Sequence, residues 1–340
     1  MASPIIFDRS DGQDLRINMI GSWLKKRFHQ KIVKLSIDGG FTCPNRDGSK
    51  GTGGCLFCSD LGSGDMAAGS GRIAADLDTQ IRLLEDKWPD AGYLAYFQSH
   101  TNTYGPAAEL REKYLAALSH ERVRGIAIAT RPDCLDEDVL DLLEELNRST
   151  FLWVELGLQS IHRETMERMN LCYTLEDYDR AAEQLRRRGI RQVTHLILGL
   201  PGETPDMMLE GVRYVCRSSG STEGGSPGAV HGEPGPPRDA PSEGGAPFGL
   251  KLHMLNVVSN SRFPEVYPDY CPFGSIEEYT DLVIRLLEHV PPQVTIHRIS
   301  GDAPRPVLIA PEWSWKKRTI LNGIHARMRE RNTWQGRLAE

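Results

Sequence analysis

Cys43, Cys55 and Cys58 share one loop, FTCPNRDGSKGTGGCLFCSD, with the spacing Cys43-x11-Cys55-x2-Cys58. Three thiolates on a glycine-rich loop can hold three corners of a metal site or cluster. They leave a fourth position open, which a reactive site needs. Iron–sulfur clusters take Cys thiolates as their main ligands, whereas structural zinc closes its shell with four ligands. A Cys-x2-Cys pair is also the commonest zinc pattern, but zinc asks for a fourth Cys or His close by. The next ones are Cys134 and His100, and there is no second Cys-x2-Cys pair. The spacing therefore favours an open iron–sulfur site over zinc. A disulfide is disfavoured, because the seven cysteines are an odd number and no signal peptide is evident.

The loop follows the strand-like run KIVKLSI (31–37). Further strand candidates are YLAYF (93–97), GIAIAT (125–130), FLWVEL (151–156), VTHLIL (193–198) and GLKLHML (249–255). Amphipathic helical stretches at 72–88, 107–120, 135–147, 161–169, 175–188 and 205–216 alternate with them. About six βα units of this kind imply parallel strands with crossover helices, an α/β fold of the open or partial TIM-barrel type. Working residues of such barrels sit at the C-terminal ends of strands. Gln98 follows YLAYF, and Thr130, Arg131 and Asp133 follow GIAIA. Glu155 ends FLWVE with Gln159 just after it, and Gly199, Gly202 and Glu203 follow HLIL. Polar residues recurring at one rim are hard to explain as packing, because burying an unpaired carboxylate is costly.

The loop resembles the cluster loop of radical S-adenosylmethionine (SAM) enzymes, in the long-spaced form of the elongator-catalytic-subunit type. More closely, the chain resembles the YhcC/YtqA-like radical SAM family. The resemblance rests on GFTCPNRDG (40–48), GGCLFC (53–58), YFQSHTNTYGP (96–106), IATRPDCL (128–135), WVELGLQS (153–160), HLILGLPGET (195–204), KLHMLNV (251–257), IHRISGDAP (296–304) and LIAPEWS (308–314). It implies a (β/α)6 partial barrel in which Cys43, Cys55 and Cys58 ligate three irons of a [4Fe-4S] cluster and the fourth iron binds SAM. Phe57 would then face adenine. Glu155 and Gln159 would bond the ribose and amino-acid part of SAM, unless Glu155 instead pairs with Arg131. The turn at Gly199 and Gly202 would let backbone approach adenine. Gln98, Ser99 and Asn102 stand where the wider superfamily contacts the SAM amino group, and Thr130 and Arg131 share that rim. Lys251 and His253 share one face of the last core strand, where either lines the barrel, unless Lys251 is simply a buried, paired lysine. Neither Cys134 nor Cys172 fits a second cluster. The chain departs from the family at Leu171-Cys172-Tyr173, where a basic-Gly-His run is usual, and at VSNSRFPEV (258–266), which lacks the usual Gly-Thr. Both stretches are where substrate contacts are expected.

At 340 residues and 39% hydrophobic, the chain suffices for one large domain with an appendage. The expected division is an N-terminal extension (1–30), a core barrel (31–257) and a C-terminal extension (258–340). The last would hold a helix at 275–290, a strand at 292–300 and a basic helix at 314–332. The Gly/Pro/Ser-rich stretch 217–247 reads as a disordered insertion within the core. No run is long and apolar enough for a transmembrane helix, so a cytoplasmic, reducing setting without membrane contact is expected. The net charge of −6 does not announce a nucleic-acid binder. Lys25, Lys26, Arg27, Lys31 and Lys34 nevertheless cluster near one end. Lys316, Lys317, Arg318, Arg327, Arg329, Arg331 and Arg337 cluster near the other. Such segments can neutralise phosphates or simply be solvated faces. The resemblance implies a tRNA partner, modified at the wobble uridine, and an electron donor such as a flavodoxin, ferredoxin or reductase. The alternatives are a radical SAM enzyme for a small metabolite or peptide, and a non-catalytic zinc or RNA-binding protein.

Overall fold

Alternation of apolar and small or polar residues decides which face of each core strand meets the helices. On the strand Phe151–Gln159, Leu152, Val154, Leu156 and Leu158 pack outward in the main core, while Phe151, Trp153, Glu155, Gly157 and Gln159 face inward. The structure, a computed structural model, describes residues 7–8, 14–59, 62, 71–217, 246–301 and 303–339. Apart from Arg217, Ala246 and Pro247, the insertion expected to be disordered lies outside the described residues.

A short antiparallel pair, β1 (Phe7–Asp8) and β2 (Asp14–Leu15), precedes helix α1 (Ile20–Phe28). Strands β3 (Ile32–Ile37), β4 (Gly92–Phe97), β5 (Val123–Thr130), β6 (Phe151–Gln159), β7 (Arg191–Leu198) and β8 (Gly249–Met254) then alternate with helices. These helices are α2 (Ile73–Glu85), α3 (Ala107–Leu118), α4 (Glu137–Ser149), the pair α5 (Arg163–Arg168) and α6 (Leu175–Arg187), and α7 (Pro205–Cys216). Next come β9 (Val257–Val258), α8 (Phe263–Val266), α9 (Ile276–Leu287), β10 (Thr295–Arg298), β11 (Leu308–Ala310), a 3-10 turn at Glu312–Trp315 and α10 (Lys317–Glu330).

The main sheet is parallel throughout, in the order β10-β8-β7-β6-β5-β4-β3. It curls into a half-barrel, the partial TIM-type architecture expected. A flat sheet would hold β8 and β4, four strand spacings apart, roughly 19 Å from each other. Lys251 Nζ on β8 nevertheless donates to Tyr96 Oη on β4 at 2.8 Å, across the hollow of the curl. The sheet has one strand more than the six expected. β10, drawn from the stretch read as a C-terminal extension, pairs in parallel with β8 and covers what would otherwise be an open edge.

Helix α1 is an element that the sequence reading left unassigned. It packs beside β3 and β10, and Ile20 and Leu24 join the inward-facing cluster of Ile32, Leu94, Phe151, Trp153 and Val193. Trp23 stacks on Phe151 at 5.8 Å and meets Phe248 edge-on at 5.0 Å. Ile32, Phe151 and Val193 stand at or near the starts of their strands, so α1 plugs the N-terminal end of the half-barrel. Its cations Lys25, Lys26 and Arg27 hid this apolar face from pattern reading.

Candidate active site

The loop of Cys43, Cys55 and Cys58 lies at the C-terminal end of the barrel and forms one wall of a cavity of about 220 Å³. Its backbone is folded by local bonds, Arg46 N to Cys43 O at 2.8 Å, Gly54 N to Asn45 O at 2.8 Å and Cys58 N to Cys55 O at 3.0 Å. The turn after α5 clamps it from outside. Asn170, at φ +55°, donates from Nδ2 to Gly54 O at 2.8 Å and Thr52 O at 3.3 Å, and Leu56 N donates to Met169 O at 3.1 Å. Burial, together with Cys58 and Cys43 nearby, pushes the Cys55 thiol up to about 12.

Phe57, Gln98, Thr130, Arg131, Glu155 and Gln159 line the same cavity. Gln98 follows the end of β4 and accepts from Ser36 Oγ at 3.1 Å. Gln159 has φ +68°, a conformation rare outside glycine, beside an irregularity in the β6–β7 register at Gly157. Such irregularities re-aim side chains, and they concentrate next to active sites. A Cβ on Gly157 would stand 2.7 Å from Gln159 Nε2, so the glycine makes room for the redirected amide.

Four expectations differ from the positions found. Glu155 is not at a strand end: β6 runs on to Gln159, which leaves Glu155 fully buried inside the barrel. Nor does it pair with Arg131. Arg131 instead forks onto Asp133 with two 2.9 Å bonds, and Lys50 of the cysteine loop bonds the same carboxylate at 2.7 Å. Gly199 and Gly202 do not line the cavity. Their positive φ serves a turn packed on protein, since a Cβ on Gly199 would lie 2.7 Å from Pro272 and one on Gly202 would lie 2.3 Å from Arg168 Nη1. Ser99 and Asn102 are also outside the cavity wall, and Asn102 ties its loop to Ala129 O at 2.8 Å.

Glu155 anchors a buried polar network. Its Oε2 accepts from Tyr96 Oη at 2.6 Å, from His195 Nε2 at 2.9 Å and from Lys251 Nζ. Its Oε1 accepts from Trp153 Nε1 at 2.9 Å and faces Lys34 Nζ at 3.7 Å. Burial alone would raise this carboxyl, but Lys251, Lys34 and His195 hold it well below the ordinary carboxylate range. Burial and the Lys251 charge push His195 down to about 4. It is therefore neutral near pH 7, with its Nε2 hydrogen on Glu155. His253 is pushed well down by burial and by Arg298, which approaches it at 3.5 Å.

The sequence reading missed Tyr96, His100, Tyr173, His195, Asn256 and Arg298 as cavity residues. Inward alternation could have found Tyr96 and His195. Tyr173 required the tertiary fold, which brings its Oη to Gly157 O at 2.7 Å. The departing stretch Leu171-Cys172-Tyr173 thus touches the site through the Tyr173 side chain and also through backbone, since Arg131 Nη1 donates to Leu171 O at 2.9 Å. Cys134 is buried and Cys172 exposed, and neither lines the cavity.

The Radical SAM superfamily pattern matches residues 46–215, and that of the radical SAM C-terminal domain matches 247–330. The chain belongs to the radical SAM superfamily. Within that superfamily it is 38% identical over 327 residues to protein YtqA of Bacillus subtilis, covering 95% of this chain and 92% of that one. It is 36% identical over 299 residues to protein YhcC of Escherichia coli, covering 87% of each. The solved structure of archaeal Methanocaldococcus infernus Elp3 with an N-terminal deletion shares the fold at a TM-score of 0.61 and 16% identity. That match covers 89% of this chain and 64% of the other. Among the described residues, no helix is long and apolar enough to cross a membrane.

Radical SAM enzymes use a [4Fe-4S] cluster and SAM as a general feature, and the residues here fit that pair. Three half-buried thiols on one loop face one cavity. Two polar atoms of cavity residues, His100 Nδ1 and Asn256 Oδ1, are buried without a partner among the described residues, as atoms awaiting a ligand would be.

Proposed function

We propose that Cys43, Cys55 and Cys58 hold a [4Fe-4S] cluster whose open iron takes SAM, and that the enzyme modifies the wobble uridine of tRNA. The convergence of the three cysteines with Gln98, Thr130, Arg131, Glu155 and Gln159 on one cavity carries the first half of this reading. When bound to Cys43, Cys55 and Cys58, such a cluster would supply one electron for the reductive cleavage of SAM, and through it radical hydrogen abstraction from the substrate.

The protein's own residues position and shield. Gln98, Thr130 and Gln159, at strand ends, offer donors and acceptors to the polar parts of SAM, and Phe57 offers an apolar face. Asp133 fixes Arg131 against the cysteine loop through Lys50. Glu155 holds Lys251 and Tyr96 in place behind the cavity, so that only their inward surfaces meet a substrate. Lys251, His253 and Arg298 stand on β8 and β10, at the sheet edge opposite the cysteine loop, and form the substrate side. The C-terminal extension from 258 onward closes that side. A flavodoxin, ferredoxin or reductase supplies the electron.

The tRNA half rests on relatives. The protein of Methanocaldococcus jannaschii named tRNA uridine(34) acetyltransferase is 32% identical over 193 residues, 56% of this chain and 30% of that one. Elongator complex protein 3 of Schizosaccharomyces pombe is 25% identical over 197 residues, 56% of this chain and 30% of that one.

Anaerobic reconstitution with iron and sulfide, then reduction with dithionite in the presence of SAM, tests the first half. A brown protein that forms 5′-deoxyadenosine, with both properties lost in Cys55→Ala, is the expected result. A colourless protein that binds zinc and leaves SAM intact overturns it. Nucleoside analysis of tRNA after incubation tests the second half: an unchanged wobble nucleoside beside active SAM cleavage would redirect the search to small metabolites or peptides.

A further inference from the structure

The cavity does not end at the barrel rim. Asn256, on its wall, donates from Nδ2 to Ser314 Oγ at 3.2 Å, which fastens the 3-10 turn Glu312–Trp315 to the mouth. Val258 and Ala303 also line the cavity, and β9, which holds Val258, pairs with β11 just before that turn. The next residue after Ser314 is Trp315, which is 43% exposed although tryptophan usually buries most of its surface. The Arg305 guanidinium stacks over that ring at 3.6 Å, and Lys316 Nζ stands 5.8 Å from its centroid. Arg305, Lys316, Lys317 and Arg318 are all exposed.

The first turn of α10 carries Lys317 and Arg318 with no acidic residue and no side-chain cap. Cations are disfavoured at that end of a helix. Places where a local rule is broken are expected at functional surfaces. The far end of α10 behaves differently, because Arg327 and Arg331 both bond Asp281 at 2.6 Å and are used within the protein. The basic stretch near the N-terminus is divided too: Lys34 is inside the barrel beside Glu155, and α1 plugs the end of the barrel opposite the mouth.

We infer that Trp315, Arg305, Lys316 and Arg318 form an RNA-docking platform at the cavity mouth. One base of a single-stranded loop stacks on Trp315 while the cations meet the flanking phosphates, so that a neighbouring nucleotide enters the cavity. An aromatic plane beside a guanidinium is how unpaired bases are gripped without regard to sequence, and exposed cations supply the salt-dependent part. This inference rests on the reading of RNA as substrate. It adds where the RNA sits, and it removes α1 from the interface.

The test uses the reconstituted full-length protein and a synthetic RNA hairpin with uridine at the wobble position, followed by fluorescence anisotropy at several KCl concentrations. Trp315→Ala should weaken binding about tenfold and Trp315→Phe should restore most of it, since stacking needs a ring rather than an indole. Lys316→Ala and Arg318→Ala should each reduce the slope of log K against log salt by about one. Lys25→Ala with Lys26→Ala should leave both unchanged. Iron content and melting temperature check that each variant is intact. If Trp315→Ala fails to fold, Arg305→Ala and Trp315→Phe carry the comparison. Wild-type binding with Trp315→Ala within twofold of it, or with the loss confined to the α1 pair, overturns the platform and leaves the RNA reading standing. A wild-type protein that cleaves SAM but does not hold the hairpin even at low salt overturns both.

Discussion

Lys251 on β8 and His195 on β7 donate to the same carboxylate oxygen, Oε2 of Glu155 on β6. Three adjacent strands are thereby joined inside the barrel, and Tyr96 Oη on β4 completes the set at 2.6 Å. A buried carboxylate with two lysines, a histidine, a tyrosine and a tryptophan around it is fully engaged. Removing it leaves buried cations without their counter-charge, which costs several kcal/mol. Glu155→Gln should therefore destabilise the cluster-free protein by roughly 3 kcal/mol or more in urea denaturation. Lys251→Met added to Glu155→Gln should recover part of that loss, because the stranded charge is gone. Strictly additive losses would contradict the pairing.

Asn170 braces the loop that bears Cys43, Cys55 and Cys58 through Gly54 O and Thr52 O. Its φ of +55° is tolerated by asparagine and resisted by alanine. Asn170→Ala should lose about 1–3 kcal/mol of stability and should lose iron to a chelator several-fold faster than wild type. Asn170→Gly, which keeps the backbone but not the amide bonds, should fall between. Chelation kinetics equal to wild type in both variants would show that the clamp does not hold the loop.

The two turn glycines should differ in cost. A Cβ on Gly199 meets Pro272 and Phe273, which are rigid, while one on Gly202 meets only the end of the Arg168 side chain. Both sites have positive φ, worth about 1–3 kcal/mol of strain for alanine. Gly199→Ala should lower the melting temperature more than Gly202→Ala. SAM affinity of the folded Gly202→Ala protein should remain near wild type, because this turn faces protein. A selective loss of SAM binding there would restore the adenine role.

Acid should loosen the barrel from inside. Burial holds His195, His253 and His297 in the neutral form, below their ordinary value. A histidine with a depressed folded pKa contributes stability above its unfolded value near 6.5, and that stability is lost as pH falls toward the folded value. With His195 at about 4, stability should drop by about 2 kcal/mol between pH 7 and pH 5 from this group alone. Urea midpoints at the two pH values measure it. His195→Gln, which can still donate to Glu155 but does not titrate there, should flatten the decline. An equally steep decline in the variant would assign the effect elsewhere.

The order of elements and the cysteine loop were legible in the residues alone. Period-two apolar runs between amphipathic stretches mark parallel strands and their crossovers, because burial on one face is a local matter of spacing. Cys43, Cys55 and Cys58 announce themselves by type and distance along the chain, and Gln98, Thr130 and Gln159 by following strands. Partnership was not legible, since it depends on how far the sheet curls. Only closure sets Lys251 against Glu155, 96 residues away, hands Arg131 to Asp133, and brings Tyr173 to the cavity wall. The plug α1 and the place of β10 in the core sheet, though not the strand itself, were hidden for a related reason. Each is short or charged by itself and gains its place only from an edge or an opening that the folded barrel offers.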